Sequence, residues 1–224
     1  MEKPALRMDL HVHTYYSPDA LTSPEKLVAA CQARGINCIA ITEHNSIRGA
    51  LAIREMCRFK VIVGEEVRTA DGEIIGLFLK EEVPPRLSAE ETVRRIKDQG
   101  GLVSIPHPFD RLRRKSLGAE ALLRVVDQVD VIETFNARIT FGSDNERARR
   151  FAEEHGLLVT AVSDAHTPGE LGANYVEVPD FDGPEAFLQS LKQAKPVTRA
   201  ASPRVHVLSY WARLRRKAFR WKPV

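Results

Sequence analysis

Two histidines one residue apart, His11 and His13, follow the run Met8-Asp9-Leu10. At the end of an extended strand, positions i and i+2 project to the same side, so both imidazoles can close on one metal ion. The same residue types return along the chain: Glu43-His44, Glu65-Glu66, His107 after Ser104-Ile105-Pro106, Glu133 with Asn136, and Ser163-Asp164-Ala165-His166. Each alone has an ordinary explanation, His107 as a satisfied core histidine and Glu65-Glu66 as a solvated turn. Clustering so many ionisable groups without a cation, however, would be electrostatically costly. Imidazole nitrogen and carboxylate oxygen are ligands that zinc, manganese and iron accept, and a bridging carboxylate holds two such ions close together.

The elements that must carry these residues alternate between strand and helix. Apolar, β-branched runs at 7–12, 36–42, 60–67, 73–79, 101–105, 130–135 and 157–163, with a weaker one at 175–178, predict seven or eight strands. Helix starts are marked by Ser23-Pro24-Glu25 and by two capping boxes, Ser88-Ala89-Glu90-Glu91 and Ser143-Asp144-Asn145-Glu146; Gly35, Gly100 and Gly156 stand where helices should stop. Alternation with short connections predicts right-handed crossovers and a parallel sheet, open or closed into a barrel. In such a barrel ligands gather at the carboxyl ends of the strands, where five of the seven histidines fall.

Composition agrees with a single substantial core: 224 residues, 43% apolar and 28% charged. Cys31, Cys38 and Cys57 form no CxxC pair and leave an odd count, against a secreted disulfide scaffold or a thiolate metal site and in favour of the cytoplasm. The opening Met1-Glu2-Lys3-Pro4 lacks a signal-peptide core, and no membrane span is expected. The net charge of +3 hides an asymmetry, because seven basic residues and no acid lie from Arg204 onward, leaving the remainder at −4. The expected division is therefore a barrel over 1–202 and a basic tail over 203–224. That tail, with Tyr210, Trp211, Phe219 and Trp221, reads either as a terminal helix packed on the body or as a surface for nucleic acid.

The order Asp9-Leu10-His11-Val12-His13-Thr14, Thr42-Glu43-His44-Asn45, Gly64-Glu65-Glu66-Val67, His107-Pro108 and Ser163-Asp164-Ala165-His166 resembles the PHP (polymerase and histidinol phosphatase) family. The resemblance implies an α/β fold, a distorted (β/α)7 barrel that binds two or three divalent ions (Zn, Mn or Fe), usually hydrolysing phosphate esters. Carried over by position, it implies a first site of His11, His13, Glu66 and Asp164, with Glu66 bridging. His44 and His166 resemble a further site, for which Asp19 is the available third ligand. Glu73 and His107 would complete the remaining site together with Glu66. Thr-Glu-His stands here where Thr-Asp-His is commoner in the family, so Glu43 is expected to support His44 from behind, and Asn136, a poor ligand, to serve support or substrate.

This implies hydrolysis of a phosphomonoester, a small phosphorylated metabolite or nucleotide, by a hydroxide generated on the metals, with Glu66, Asp164 and His107 at the reaction centre. Arg138 and Arg111, on the loops after the sixth and fifth strands, are the candidates for a phosphate clamp. If two ions suffice, His107 is free to protonate the leaving oxygen. The basic tail would favour a nuclease or nucleoside-bisphosphate phosphatase instead, and a metal-binding regulatory module without activity is the alternative of another class. His155, at a helix end, and His206, in the tail, stand outside the expected site.

Overall fold

The computed structural model describes residues 5–113 and 115–200, together with Trp211 and Leu214. The elements, in chain order, are β1 (Leu6–Val12), α1 (Pro24–Arg34), β2 (Cys38–His44), α2 (Arg48–Met56), β3 (Lys60–Arg68), β4 (Glu73–Leu77), α3 (Ala89–Asp98), β5 (Leu102–Ile105), α4 (Gly118–Val125), β6 (Val131–Asn136), α5 (Gly142–His155), β7 (Leu158–Val162), β8 (Tyr175–Val178), α6 (Gly183–Leu191) and β9 (Lys195–Val197). Each of the eight apolar runs forms a strand; β9 is an addition. Apart from Trp211 and Leu214, which are exposed, the basic tail lies outside the described residues.

Local signals explain several helix ends. Ser23 accepts from the Lys26 amide ahead of Pro24, and Gly35 closes α1 at φ 71°, a left-handed conformation that favours glycine. Ser88 caps α3 in the same way through the Glu91 amide. The second capping box does not form: α5 begins at Gly142 behind Phe141, with no side-chain cap, because Asp144 is buried and bonded to Arg111.

The strands form one sheet in the order β7-β6-β5-β4-β3-β2-β1-β8-β9. It is mixed, contrary to the parallel sheet expected. The pairs β1·β2, β2·β3, β5·β6 and β6·β7 are parallel, whereas β4 runs antiparallel to both β3 and β5, and β8 to both β1 and β9. The reason is length: the turn between β3 and β4, closed by Thr69 and Gly72, is far too short for a crossover helix. The far edge comes back to the start, with Val12 bridging Ala165 in parallel and the His13 amide donating to the Ala165 carbonyl at 2.9 Å. The sheet is thus a nearly closed barrel. Among the described residues no helix is long and apolar enough to cross a membrane.

Alternation divides the core into two layers. Met8, Leu10, Cys38, Ala40, Ile62, Ile75 and Leu77 belong to the inner cluster, whereas Ile39, Ile41, Val63 and Ile74 pack outward against α1, α2 and α3 through Leu27, Ile53 and Val93. By this parity His44, Glu66 and Glu73 face inward and Glu65 outward. Gly64 permits the close approach of strands here, since a Cβ would lie 2.9 Å from Thr42 Cγ2 and 3.1 Å from the Gly76 carbonyl.

Candidate metal centre

Strict alternation from Met8 and Leu10 would send His11 and His13 outward. Instead, the pairing of β1 with β2 shifts register between Asp9 and Val12, Val12 joins the outer cluster, and both histidines turn to the inner side. A second shift in β6, between Glu133 and Phe135, lets Glu133 and Asn136 reach the same space. Irregularities of this kind re-aim side chains beside functional sites. His107 and Asp164 have positive φ, 29° and 53°, a conformation that non-glycine residues adopt at a cost and that turns both side chains off the ends of their strands.

The buried residues converge. Ligand atoms come within 4.8 Å of one another in four groups, each able to hold a metal ion: His13, His44 and His166; His11, Glu66 and His107; His11, His13 and Asp164; His44, Glu66 and Glu73. Glu66 divides its oxygens between two sides. Oε1 lies 3.1 Å from His107 Nε2 and 3.5 Å from His11 Nε2, while Oε2 lies 2.8 Å from His44 Nδ1 and 3.4 Å from His13 Nε2. Asp19 stands 3.4 Å from His44 Nε2 and 3.6 Å from His166 Nε2; Glu73 is 3.8 Å from both His44 and His107. Asp164 Oδ1 faces His11 and His13 at 3.7 Å and His166 at 3.4 Å, yet accepts no hydrogen bond among the described residues.

Hydrogen bonds from behind set the ring tautomers. Glu133 Oε1 lies 2.7 Å from His11 Nδ1 and accepts from it, the bond that places a proton on Nδ1 and turns Nε2 toward the cluster. Ser17 Oγ donates to Glu43, which leaves it to accept from His13 Nδ1 at 3.1 Å. The two Nε2 atoms are left facing each other at 2.9 Å. Two lone pairs at that distance repel, so the arrangement requires a proton or a cation between them. Burial alone depresses His11, but Asp164, Glu133 and Glu66 outweigh it and hold the ring well above its usual range. His13 goes the other way, kept neutral by burial and by His166 and His44. Burial and Arg138 take His166 down to about 4, whereas Glu66 and Asp19 overcome burial at His44 and raise it to about 9. Against their own burial, Glu66 is held ionised by His44 and His11, and Asp164 by Arg113 and His11. His11, His13, His44, Glu66, Glu73, His107, Asp164 and His166 could hold a cation in place of protons, and a donor set of imidazoles and carboxylates is one that zinc, manganese or iron accepts.

The supporting residues occupy distinct places. Glu43 makes no hydrogen bond to the His44 ring among the described residues; it binds the Thr14 amide, the Thr14 hydroxyl and Ser17, and so acts on His13 and on the His44 amide through Ser17. Asn136 donates to Glu133 at 2.9 Å and to Asp164 at 3.2 Å. Arg138 is buried against Glu170 at 3.0 Å. Arg111 is turned away from the cluster: Asp144 binds it at 2.5 Å, its guanidinium lies over the Phe141 ring, and its side chain is 58% exposed. Arg113, two residues on, reaches the site instead, 2.5 Å from Asp164 Oδ2 and 3.3 Å from Asp110. Arg113 escapes a reading of strand ends, because its signal is a contact made from a loop; Glu133 was among the strand-end residues, but its hold on His11 is a contact between β6 and β1. His155 packs on Phe151 with ring centroids 4.2 Å apart, away from the centre.

A family model described as PHP-associated matches residues 142–196. An uncharacterized protein of Methanocaldococcus jannaschii is 40% identical over 146 residues, 59% of this chain and 82% of its own length. A second uncharacterized protein of the same organism is 36% identical over 197 residues, 84% of this chain and 79% of its own. The chain belongs to the PHP family. The fold agrees: a two-domain protein of Bacteroides vulgatus containing a predicted PHP-like metal-dependent phosphoesterase superposes with a TM-score of 0.72 at 18% identity, covering 93% of this chain and 70% of that one. The PHP motifs from His11 to His166 are the residues that the barrel brings together here.

Proposed function

We propose that this PHP protein is a cytoplasmic, metal-dependent phosphoesterase that hydrolyses a phosphomonoester of a small metabolite or nucleotide. The observation that carries the reading is the division of Glu66, one oxygen toward His11 and His107 and the other toward His13 and His44, which is the disposition of a carboxylate shared between two cations. When bound, two or three divalent ions (Zn, Mn or Fe) neutralise phosphate oxygens and acidify a water toward neutral pH. His11, His13, Glu66 and Asp164 would hold one ion, His44, His166 and Asp19 another, and Glu66, Glu73 and His107 the remaining position.

The chain's own groups do the rest. Glu133 and Ser17 keep the Nε2 atoms of His11 and His13 available as donors to a cation. Arg113, which is partly exposed beside Asp164, offers further guanidinium donors to a phosphate oxygen, the clamp that Arg111 is too far engaged with Asp144 to supply. Arg138 adds positive charge behind His166 and Asp164. With ions held only at the other two positions, His107 is left to pass a proton to the leaving oxygen; its Nδ1 takes no hydrogen bond among the described residues.

The experiment is phosphate release from a panel of mono- and diesters by chelated protein, before and after adding manganese, zinc or iron. Release from monoesters restored by metal supports the reading; no release under any loading overturns it.

A further inference from the structure

β7 is the last strand on its side of the sheet, and among the described residues β1 pairs in ladders only with β2 and β8. Yet the centre is assembled from both ends, His11 and His13 coming from β1 and Asp164 and His166 from the end of β7. The seam that joins them is short. Besides the bridge between Val12 and Ala165, the His13 amide donates to the Ala165 carbonyl, the Leu21 amide and the Thr22 hydroxyl donate to the His166 carbonyl, and one buried side chain of β1, Asp9, reaches across to Ser163. Asp9 Oδ1 accepts from the Ser163 amide at 3.1 Å and from the His11 amide at 3.4 Å, and Oδ2 accepts from the Ser163 hydroxyl. The Ser163 Oγ accepts in turn from the Ala165 amide at 3.1 Å, and the Ala165 carbonyl accepts from the His13 amide. Asp9 thus touches the backbone of a histidine on one side of the seam and, through Ser163, brackets the left-handed Asp164 on the other. It is fully buried, belongs to none of the four groups, and among the described residues its carboxylate hydrogen-bonds to no side chain of theirs.

We propose that Asp9 is a positioning residue, a latch that acts through Ser163 to set Asp164 and His166 against His11 and His13 across the open side of the barrel. Only a carboxylate accepts from all three donors at once; an asparagine amide of the same size places a donor opposite one of them, and alanine at Ser163 removes both the hydroxyl donor and the acceptor for Ala165. The latch tightens a centre whose inter-ligand distances would otherwise follow the motion of a sheet edge.

This inference rests on the metal reading above, and wild-type cobalt binding separates the two: if the wild-type chain takes up no cobalt, the metal reading fails. The test compares Asp9→Asn and Ser163→Ala with wild type by cobalt(II) titration, recording affinity and the visible d–d spectrum, with far-UV circular dichroism and Tm alongside. The expected result is an altered d–d spectrum and roughly 10–100-fold weaker cobalt binding in both folded variants, the range for residues that orient metal ligands. Wild-type spectrum and affinity in Ser163→Ala, or a loss of Tm in Asp9→Asn with spectrum and affinity unchanged, would overturn the proposal and leave Asp9 with a purely structural part.

Discussion

Arg113 Nη2 lies 2.5 Å from Asp164 Oδ2, while the other oxygen of that carboxylate faces His11 and His13 at 3.7 Å. The guanidinium is therefore one carboxylate away from the centre, close enough for its remaining donors to meet a phosphate drawn there. Arg113→Ala is expected to lower kcat/KM for a phosphomonoester by about 10²-fold, as losing a preorganised donor to a transition-state oxygen does. Arg111→Ala, which breaks contacts to Asp144, Ser143 and the Phe141 ring away from the cluster, should change it little. Steady-state kinetics of the two variants check this, and equal losses would remove Arg113 from the clamp.

Glu133 receives His11 Nδ1, the His107 amide and Asn136 Nδ2, so its charge orients two histidines at once. Glu133→Gln retains the volume but presents an amide that can donate to His11 and so favour the wrong tautomer. Metal affinity should fall about 10- to 100-fold. Competition with a chromophoric chelator measures it.

The pH dependence of loading has a definite sign. His44 is raised to about 9 by Glu66 and Asp19, against burial. A raised histidine stabilises the metal-free fold fully below its unfolded value of about 6.5, and that contribution is lost as pH climbs through about 9. The ion must displace the same proton, so its binding strengthens over the same interval. The rise in Tm on adding metal should therefore be larger at pH 9 than at pH 6.5, readable by differential scanning fluorimetry; at a thousandfold excess over Kd the stabilisation is about 4 kcal/mol. A Tm shift that shrinks over this interval would contradict the assignment.

Burial pushes the Cys31 and Cys38 thiols up to about 12 and raises Cys57 as well, but only Cys57 is partly exposed. Thiolate is the reactive species, so native protein at pH 8 should be alkylated at Cys57 and spared at Cys31 and Cys38. Mass spectrometry after brief iodoacetamide treatment distinguishes the three.

The convergence was legible because its candidate ligands sit at the ends of apolar runs, where residue type and place coincide: His11, His13, His44, Glu66, His107, Asp164 and His166 all do. Asp19 and Glu73 were legible by resemblance to the family, and the barrel brings both beside His44. The register shift before Val12 was not legible, since whether a strand bulges depends on its neighbour's pairing and not on its own pattern. The choice between Arg111 and Arg113 was equally hidden, because it is decided by Asp144 from a distant helix. The direction of β4 could have been read from the short 69–72 connection, which leaves room only for a hairpin.

The claim that a shared Glu66 organises a polynuclear centre is tested most directly by metal content. Wild-type protein and Glu66→Ala would be stripped with chelator, reloaded with manganese, zinc or iron, desalted and analysed by inductively coupled plasma mass spectrometry. About two or three ions per wild-type chain are expected, and at least one fewer in the variant, since a lost bridge weakens both neighbouring positions. Fewer than one ion per wild-type chain, or full occupancy in Glu66→Ala, would contradict it.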